Sequence, residues 1–252
     1  MTLSIVLPCY NEEENVEATV GEVLAWMDHA AIEGEVVAVD DGSADRTAEK
    51  LAALAAAEPR VRVVRHERNR GYGDAVISGC DAARCDLIAF MDSDGQFRVS
   101  DLALLLERTD DYAFVAGRRR KRADPFGRNV LGKLLAVANA VRFRVFVRDV
   151  NCGMKVFERA IWRAIRPPNG LEKFFNAMLY LRAREHGIEW VQIAVPHYPR
   201  LRGAQTGAKW SVIAKMRREL ETIAAWRAGL ARDAAGRAQP AEAPVAGVRV
   251  QR

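Results

Sequence analysis

The sequence predicts an α/β protein with a mostly parallel central sheet and helices on both faces. Three observations predict it. Short apolar runs alternate with amphipathic helical stretches about six times, mostly through short links. Half of the 252 residues are apolar, enough for one sizeable core. Asp40, Asp41, His66, Asp92 and Asp94 all fall just after the ends of apolar runs. In parallel sheets that is where ligands bind.

Residues 3–8 read as the first strand, with Ser4 its only polar interruption. Asn11 can cap the helix that follows, and Glu12, Glu13 and Glu14 suit its positive first turn. Val16, Val20, Leu24 and Met27 recur on one face, so this helix runs to about His29. Residues 36–39 form the second strand, ending at Asp40-Asp41-Gly42-Ser43. Asp45 or Ser43 can cap the next helix, striped by Ala48, Leu51, Ala52 and Ala55. Residues 61–64 make the third strand, and 66–73 a charged, glycine-containing loop. A helix over 74–84 leads to the fourth strand at 87–91. A helix over 102–106 and a strand over 112–116 extend the alternation.

The pattern changes after Gly117. Arg118 to Arg122 form a dense basic cluster, broken by Pro125 and Gly127. A helix is expected from Arg128 to about Arg144, then a turn at 149–153, a helix over 171–185 and a strand over 190–195. A last helix over 210–226 is amphipathic, with Ile213, Met216, Leu220 and Ile223. The expected plan is one domain over 1–228, in halves 1–117 and 118–228. Residues 229–252, rich in Ala, Pro and Gly, are expected to be disordered. The formal charge of +5 favours anionic partners. Four cysteines without a CxxC pair, and no leader before the first strand, suggest free thiols in a cytoplasmic protein. No stretch is long and apolar enough to span a bilayer, although 130–147 can lie on a membrane surface.

The candidate chemistry starts where the fourth strand ends. In extended backbone Asp92 and Asp94 point the same way, and Gln96 can join them if the chain curls after Gly95. Two carboxylates and an amide oxygen make a hard nest suited to Mg²⁺ or Mn²⁺, with a phosphate supplying further ligands. An ordinary polar turn is the bland rival. Asp40 or Asp41 can accept from a ribose or a base N–H, or cap a helix. Gly71 and Gly73 allow close backbone approach in a loop that can wrap a nucleotide or merely connect. No GxGxxG or GxxxxGK[ST] run is present, which disfavours a dinucleotide cradle and a P-loop. The arginine cluster can be a solvated face, a nucleic-acid footprint or a phosphate receiver. It lacks interleaved aromatics, so nucleic acid is not expected. Arg128 can hold a phosphate, and His197 and Arg200 can reach the same cleft. Asp149 and Glu172 are weak candidates for a base.

Two stretches carry a resemblance: Pro8-Cys9-Tyr10-Asn11-Glu12, and Val39-Asp40-Asp41-Gly42-Ser43-Ala44-Asp45-Arg46-Thr47. With Asn69-Arg70-Gly71-Tyr72-Gly73 and Asp92-Ser93-Asp94 they resemble the opening of a family 2 glycosyltransferase. The second half is similar, less specifically, to the dolichol-phosphate mannose synthase branch, through 149–159 and His197-Tyr198-Pro199-Arg200-x-x-Gly203. Asn151, Cys152 and Gly132 depart from that pattern. The resemblance implies a GT-A type, Rossmann-like fold and inverting transfer from a GDP- or UDP-sugar. Pro8, Tyr10, Glu12, Asp40, Asp41, Gly71 and Asp92 would meet the donor. Asp92, Asp94 and Gln96 would hold the metal. Arg128 and Arg200 would face an acceptor phosphate, with Asp149 on the acceptor side. A polyprenyl phosphate at the inner face of the cell membrane is the expected acceptor. A hydroxyl acceptor, nucleotidyl transfer and a non-catalytic basic module are the rivals.

Overall fold

The computed structural model describes residues 1–93, 95–120, 147–198 and 217–228. Among them seven strands form one sheet: β1 Thr2–Cys9, β2 Glu33–Asp40, β3 Val61–Arg65, β4 Leu87–Phe90, β5 Phe114–Arg119, β6 Lys155–Glu158 and β7 Trp190–Val195. Their order is β3-β2-β1-β4-β6-β5-β7. Every pairing is parallel except those of β6, which runs antiparallel between β4 and β5. The carboxyl ends of the other six strands therefore share one edge.

Side chains alternate between two cores, as period-two geometry requires. Val6, Val37, Val39, Phe90, Phe114 and Phe157 face one core. It is covered by α3 (Tyr72–Ala82), α5 (Trp162–Ile165) and α6 (Phe175–Glu185). Ile5, Leu7, Val36, Ala38, Ala89 and Val156 face the other. It lies under α1 (Val16–His29), part of α2 (Thr47–Ala57) and the short α4 (Ala103–Leu106). Helix α7, residues 217–228, seats Ile223 and Trp226 on the first core. Among the described residues no helix is long and apolar enough to cross a membrane.

The expected alternation holds through β5, and the departures have local causes. Strand β6 breaks the parallel pattern and is too short, at four residues, to show a period. The helix expected from 171 begins at Phe175. The backbone before it turns, and the Glu219 carboxylate of α7 accepts the N–H groups of Lys173 (2.8 Å) and Phe174 (3.0 Å). The expected helix over 128–144 and the tail 229–252 lie outside the described residues.

Ser4 has its own task at the opposite, amino edge. It is fully buried, and its hydroxyl donates to Glu35 Oε1 at 2.8 Å and accepts the Cys85 N–H at 3.1 Å. Glu35 also accepts the Arg84 N–H (2.8 Å) and the Arg62 guanidinium (2.9 Å). One carboxylate thus ties β1, β2, β3 and the turn into β4. Burial pushes this carboxyl up, but Arg62, Ser4 and the Arg84 N–H outweigh it and hold it below the usual range. A carboxyl depressed in the fold contributes stability above its unfolded pKa and loses it as pH falls through the folded value. Glu35→Gln is therefore expected to lower stability by ~2 kcal/mol at neutral pH. The gap to the parent should shrink as pH drops below about 4. Thermal denaturation across acid pH checks both.

Candidate active site

The register sets Cys9 opposite Asp40, and Asp40 opposite Arg65, at the shared carboxyl edge. Loops leaving that edge carry N–H groups with no strand partner, and each must find an acceptor. Side chains supply them across the two loops. Asn11 N–H donates to Ser43 Oγ (3.0 Å), and Ala44 N–H to Asn11 Oδ1 (2.9 Å). Glu12 N–H donates to Thr47 Oγ1 (2.9 Å), and Glu13 N–H to Asp45 Oδ2 (3.2 Å). Asn11 therefore laces the loops instead of capping α1, and it sits at φ 55°, which asparagine tolerates. Asp45 does accept the Thr47 N–H at the start of α2 (3.0 Å). Glu12 itself accepts the Asn15 side-chain amide at 2.8 Å.

The neighbouring acids Asp40 and Asp41 have different fates. Asp40 is fully buried, and its Oδ1 accepts the Ser43 N–H at 3.0 Å. Its Oδ2 makes no hydrogen bond, with Arg65 Nε 3.4 Å away. Pro8 precedes this point on β1, and the Tyr10 ring just past β1 is 46% exposed. Asp41 is engaged by the loop after β3. It accepts the N–H groups of Arg70 (2.9 Å) and Gly71 (2.8 Å), and lies 2.7 Å from His66 Nδ1. An acceptor-only carboxylate puts a proton on Nδ1, and Nε2 lies 2.9 Å from Ser78 Oγ. Gly42, at φ 68°, presses on the same loop: a Cβ there would fall 2.4 Å from the Arg68 carbonyl carbon. Gly71, at φ 95°, precedes α3.

Asp92 follows β4. Ser93 Oγ donates to the Pro8 carbonyl at 2.8 Å, tying this end to that of β1. Gly153 lies against the Asp92 carboxylate so closely that a Cβ would come within 2.0 Å of Oδ2. The Gln96 carbonyl accepts the Tyr198 N–H at 3.0 Å, Phe97 meets His197 edge-on at 5.3 Å, and Arg98 lies 4.4 Å over the Tyr198 ring. The loop after β4 is thereby fastened to the end of β7. Asp94, Arg128 and Arg200 lie outside the described residues. Among the described residues no three His, Cys, Asp or Glu side chains converge as a metal cluster. The donors that are described still suit Mg²⁺ or Mn²⁺. Such ions take one or two carboxylates and complete their shell with waters and substrate phosphates.

Asp149 stands at the same edge, clasped by Arg119 at the end of β5. Arg119 Nε and Nη2 each lie 2.7 Å from a different Asp149 oxygen, and the Arg119 N–H adds a third bond at 3.1 Å. Gln192 of β7 steadies the turn by donating to the Asp149 carbonyl at 3.0 Å. In the sequence Arg119 is one of four arginines in a five-residue basic cluster, and nothing there singles out Lys155 or Asn176. Lys155 is fully buried, with Nζ 2.7 Å from Asn176 Oδ1.

The family model for glycosyl transferase family 2 matches residues 4–178. The chain is 28% identical over 210 residues to the dolichyl-phosphate beta-glucosyltransferase ALG5C of Trichomonas vaginalis, covering 76% of this chain and 62% of that protein. It is 34% identical over 170 residues to an undecaprenyl-phosphate 4-deoxy-4-formamido-L-arabinose transferase of Pseudomonas aeruginosa, covering 65% of this chain and 49% of that protein. The chain thus spans about half to two thirds of the length of the curated relatives it matches. The fold is shared with glucosyl-3-phosphoglycerate synthase from Mycobacterium tuberculosis, solved with Mn²⁺ and UDP-glucose (TM-score 0.63, 20% identity, 90% of this chain and 79% of that one). It is shared too with mannosyl-3-phosphoglycerate synthase from Rubrobacter xylanophilus (TM-score 0.62, 19% identity, 99% and 79%). The expected GT-A, Rossmann-like architecture is borne out.

The Asp41 contacts make the 66–71 loop dependent on one carboxylate. Asp41→Asn is expected to speed tryptic cleavage after Arg68 and Arg70 about tenfold, through local opening. Cleavage at the parental rate would show that the loop is held by other means.

Proposed function

Since the chain belongs to glycosyl transferase family 2, we propose that it is a metal-dependent, inverting enzyme that moves a sugar from a nucleotide-sugar donor to a polyprenyl phosphate. The acceptor reading is carried by one observation, the Asp149–Arg119 pair. A general base for a hydroxyl acceptor needs a pKa near the working pH. A carboxylate gripped through both oxygens by a guanidinium is a poor base. A phosphate acceptor arrives already ionised and needs none. The relatives named for dolichyl and undecaprenyl phosphate support the same class. Their sugars are glucose and a formamido-arabinose, so the likeness extends across polyprenyl-phosphate sugar transferases and does not single out a mannose branch.

The donor reading rests on the edge of β1, β2 and β4. The buried Oδ2 of Asp40 accepts a base or ribose donor, and the exposed Tyr10 ring offers a face for a base. Pro8, Glu12, Asp41 and Gly71 shape the walls around them. Asp92, with Asp94 and Gln96, would hold the divalent ion. A divalent ion held there would supply positive charge against the leaving diphosphate. Asp149 keeps Arg119 in place, and the family resemblance assigns Arg128 and Arg200 to the acceptor phosphate. Arg118, Arg120 and Arg148 carry no side-chain ion pair among the described residues. They suit an anionic membrane surface, where the enzyme works peripherally from the cytoplasmic side.

The test is a donor screen read by mass spectrometry, UDP- and GDP-sugars first, with polyprenyl phosphate and soluble hydroxyl acceptors in separate arms. Transfer to the lipid phosphate, lost on chelation, is the expected result. Transfer only to hydroxyls would overturn the acceptor reading, and release of pyrophosphate would indicate nucleotidyl transfer. Asp92→Ala should cut turnover at least about 1,000-fold with the fold intact. Gly153→Ala should act in the same direction, because its methyl displaces the Asp92 carboxylate. Asp40→Ala should raise the donor KM about 10- to 100-fold and change kcat little.

A further inference from the structure

Lys155 is a buried charge that this chemistry does not use. All of its hydrogen bonds go to neutral acceptors: Cys152 O at 2.5 Å, Asn176 Oδ1 at 2.7 Å and Val150 O at 3.5 Å. The rings of Phe90 and Tyr180 face it at 5.3 and 5.7 Å, within cation–π range. Burial nonetheless pushes its ammonium down to about 8. For packing alone a methionine would serve as well or better. What the ammonium adds is a grip on two carbonyls of a single turn.

That turn, 149–153, touches both Arg119 and Asp92. At its start Asp149 clasps Arg119. At its end Gly153 bears directly on the Asp92 carboxylate. Between them Cys152 is fully buried against Gly117, where a Cβ would come 2.8 Å from its sulfur. Asn176, 6% exposed on α6, anchors the ammonium from the helical layer. A displacement of the turn by less than an ångström would therefore reach Asp92 and Arg119 together.

We propose that Lys155 and Asn176 are positioning residues that clamp the 149–153 turn, setting Asp92 toward the donor diphosphate and Arg119 toward the acceptor. The catalytic meaning of the clamp rests on the transferase reading, whereas the clamp itself is a property of the fold.

Cys152 makes the test local. Burial pushes its thiol up to about 11, so maleimide labelling at neutral pH requires the turn to open. Cys9 and Cys80, each 1% exposed and in opposite cores, report opening of the whole domain. In Lys155→Met, Cys152 is expected to label about tenfold faster while Cys9 and Cys80 keep the parental rate. Affinity for Mn²⁺ with UDP or GDP, whichever the parent binds, read by calorimetry, should fall about tenfold in the same variant. Asn176→Ala should shift both readouts the same way by less, and it decides the matter if Lys155→Met does not fold. Unchanged Cys152 labelling would overturn the proposal. So would three cysteines opening together, which would make Lys155 a support of the whole fold. If the parent protein binds Mn²⁺ with neither UDP nor GDP, the transferase reading fails, and the labelling ratio still decides the clamp.

Discussion

Backbone N–H groups in the loops beyond the sheet cannot be buried without acceptors, and the carboxyl edge of this protein depends on the side chains that provide them. Parallel strands end together, so three loops crowd one place with their ladders finished. Asn11, Ser43, Asp45 and Thr47 lace the first two loops, and Asp41 fastens the third. Asp149 does the same on the far side, accepting the Arg119 N–H as well as its guanidinium. Much of the acid in the motifs is structural in this sense. It keeps the edge rigid enough that a few groups, Asp40 and Asp92 among them, can be aimed.

The division between neighbours follows from that constraint. Asp40 ends β2 with one oxygen satisfied by Ser43 and the other outside any hydrogen bond, whereas Asp41 has each oxygen engaged. Adjacent strand residues point to opposite faces, so two identical side chains meet different surroundings. Steric closeness makes a parallel division among the glycines. Gly42 and Gly153 are placed where a methyl would strike the 66–71 loop and the Asp92 carboxylate.

Most of the architecture was legible because period and spacing encode it. The near-continuous burial of β1, β2 and β4 and the buried stripes of α1 and α2 mirror the apolar pattern. The edge location of Asp40, Asp41, His66 and Asp92 followed from topology alone. What stayed hidden depends on partners far apart in the chain. Ser4 reads as a flaw in a strand until Glu35 and Cys85 come to it. Asp149 reads as a candidate base until Arg119 is folded onto it. Lys155 carries no sequence signal until β6 slips between β4 and β5 and buries it beneath Phe90 and Tyr180. No local pattern announces an antiparallel strand of four residues in a parallel sheet.

The account stands on the claim that Asp92 marks the place where a divalent ion and the donor diphosphate meet. Anomalous scattering from crystals grown with Mn²⁺ and UDP tests this most directly. The account predicts a manganese peak about 2.1 Å from an Asp92 carboxylate oxygen, next to density for the diphosphate. A manganese–UDP complex bound elsewhere on the protein, with Asp92 out of reach of the ion, would contradict it.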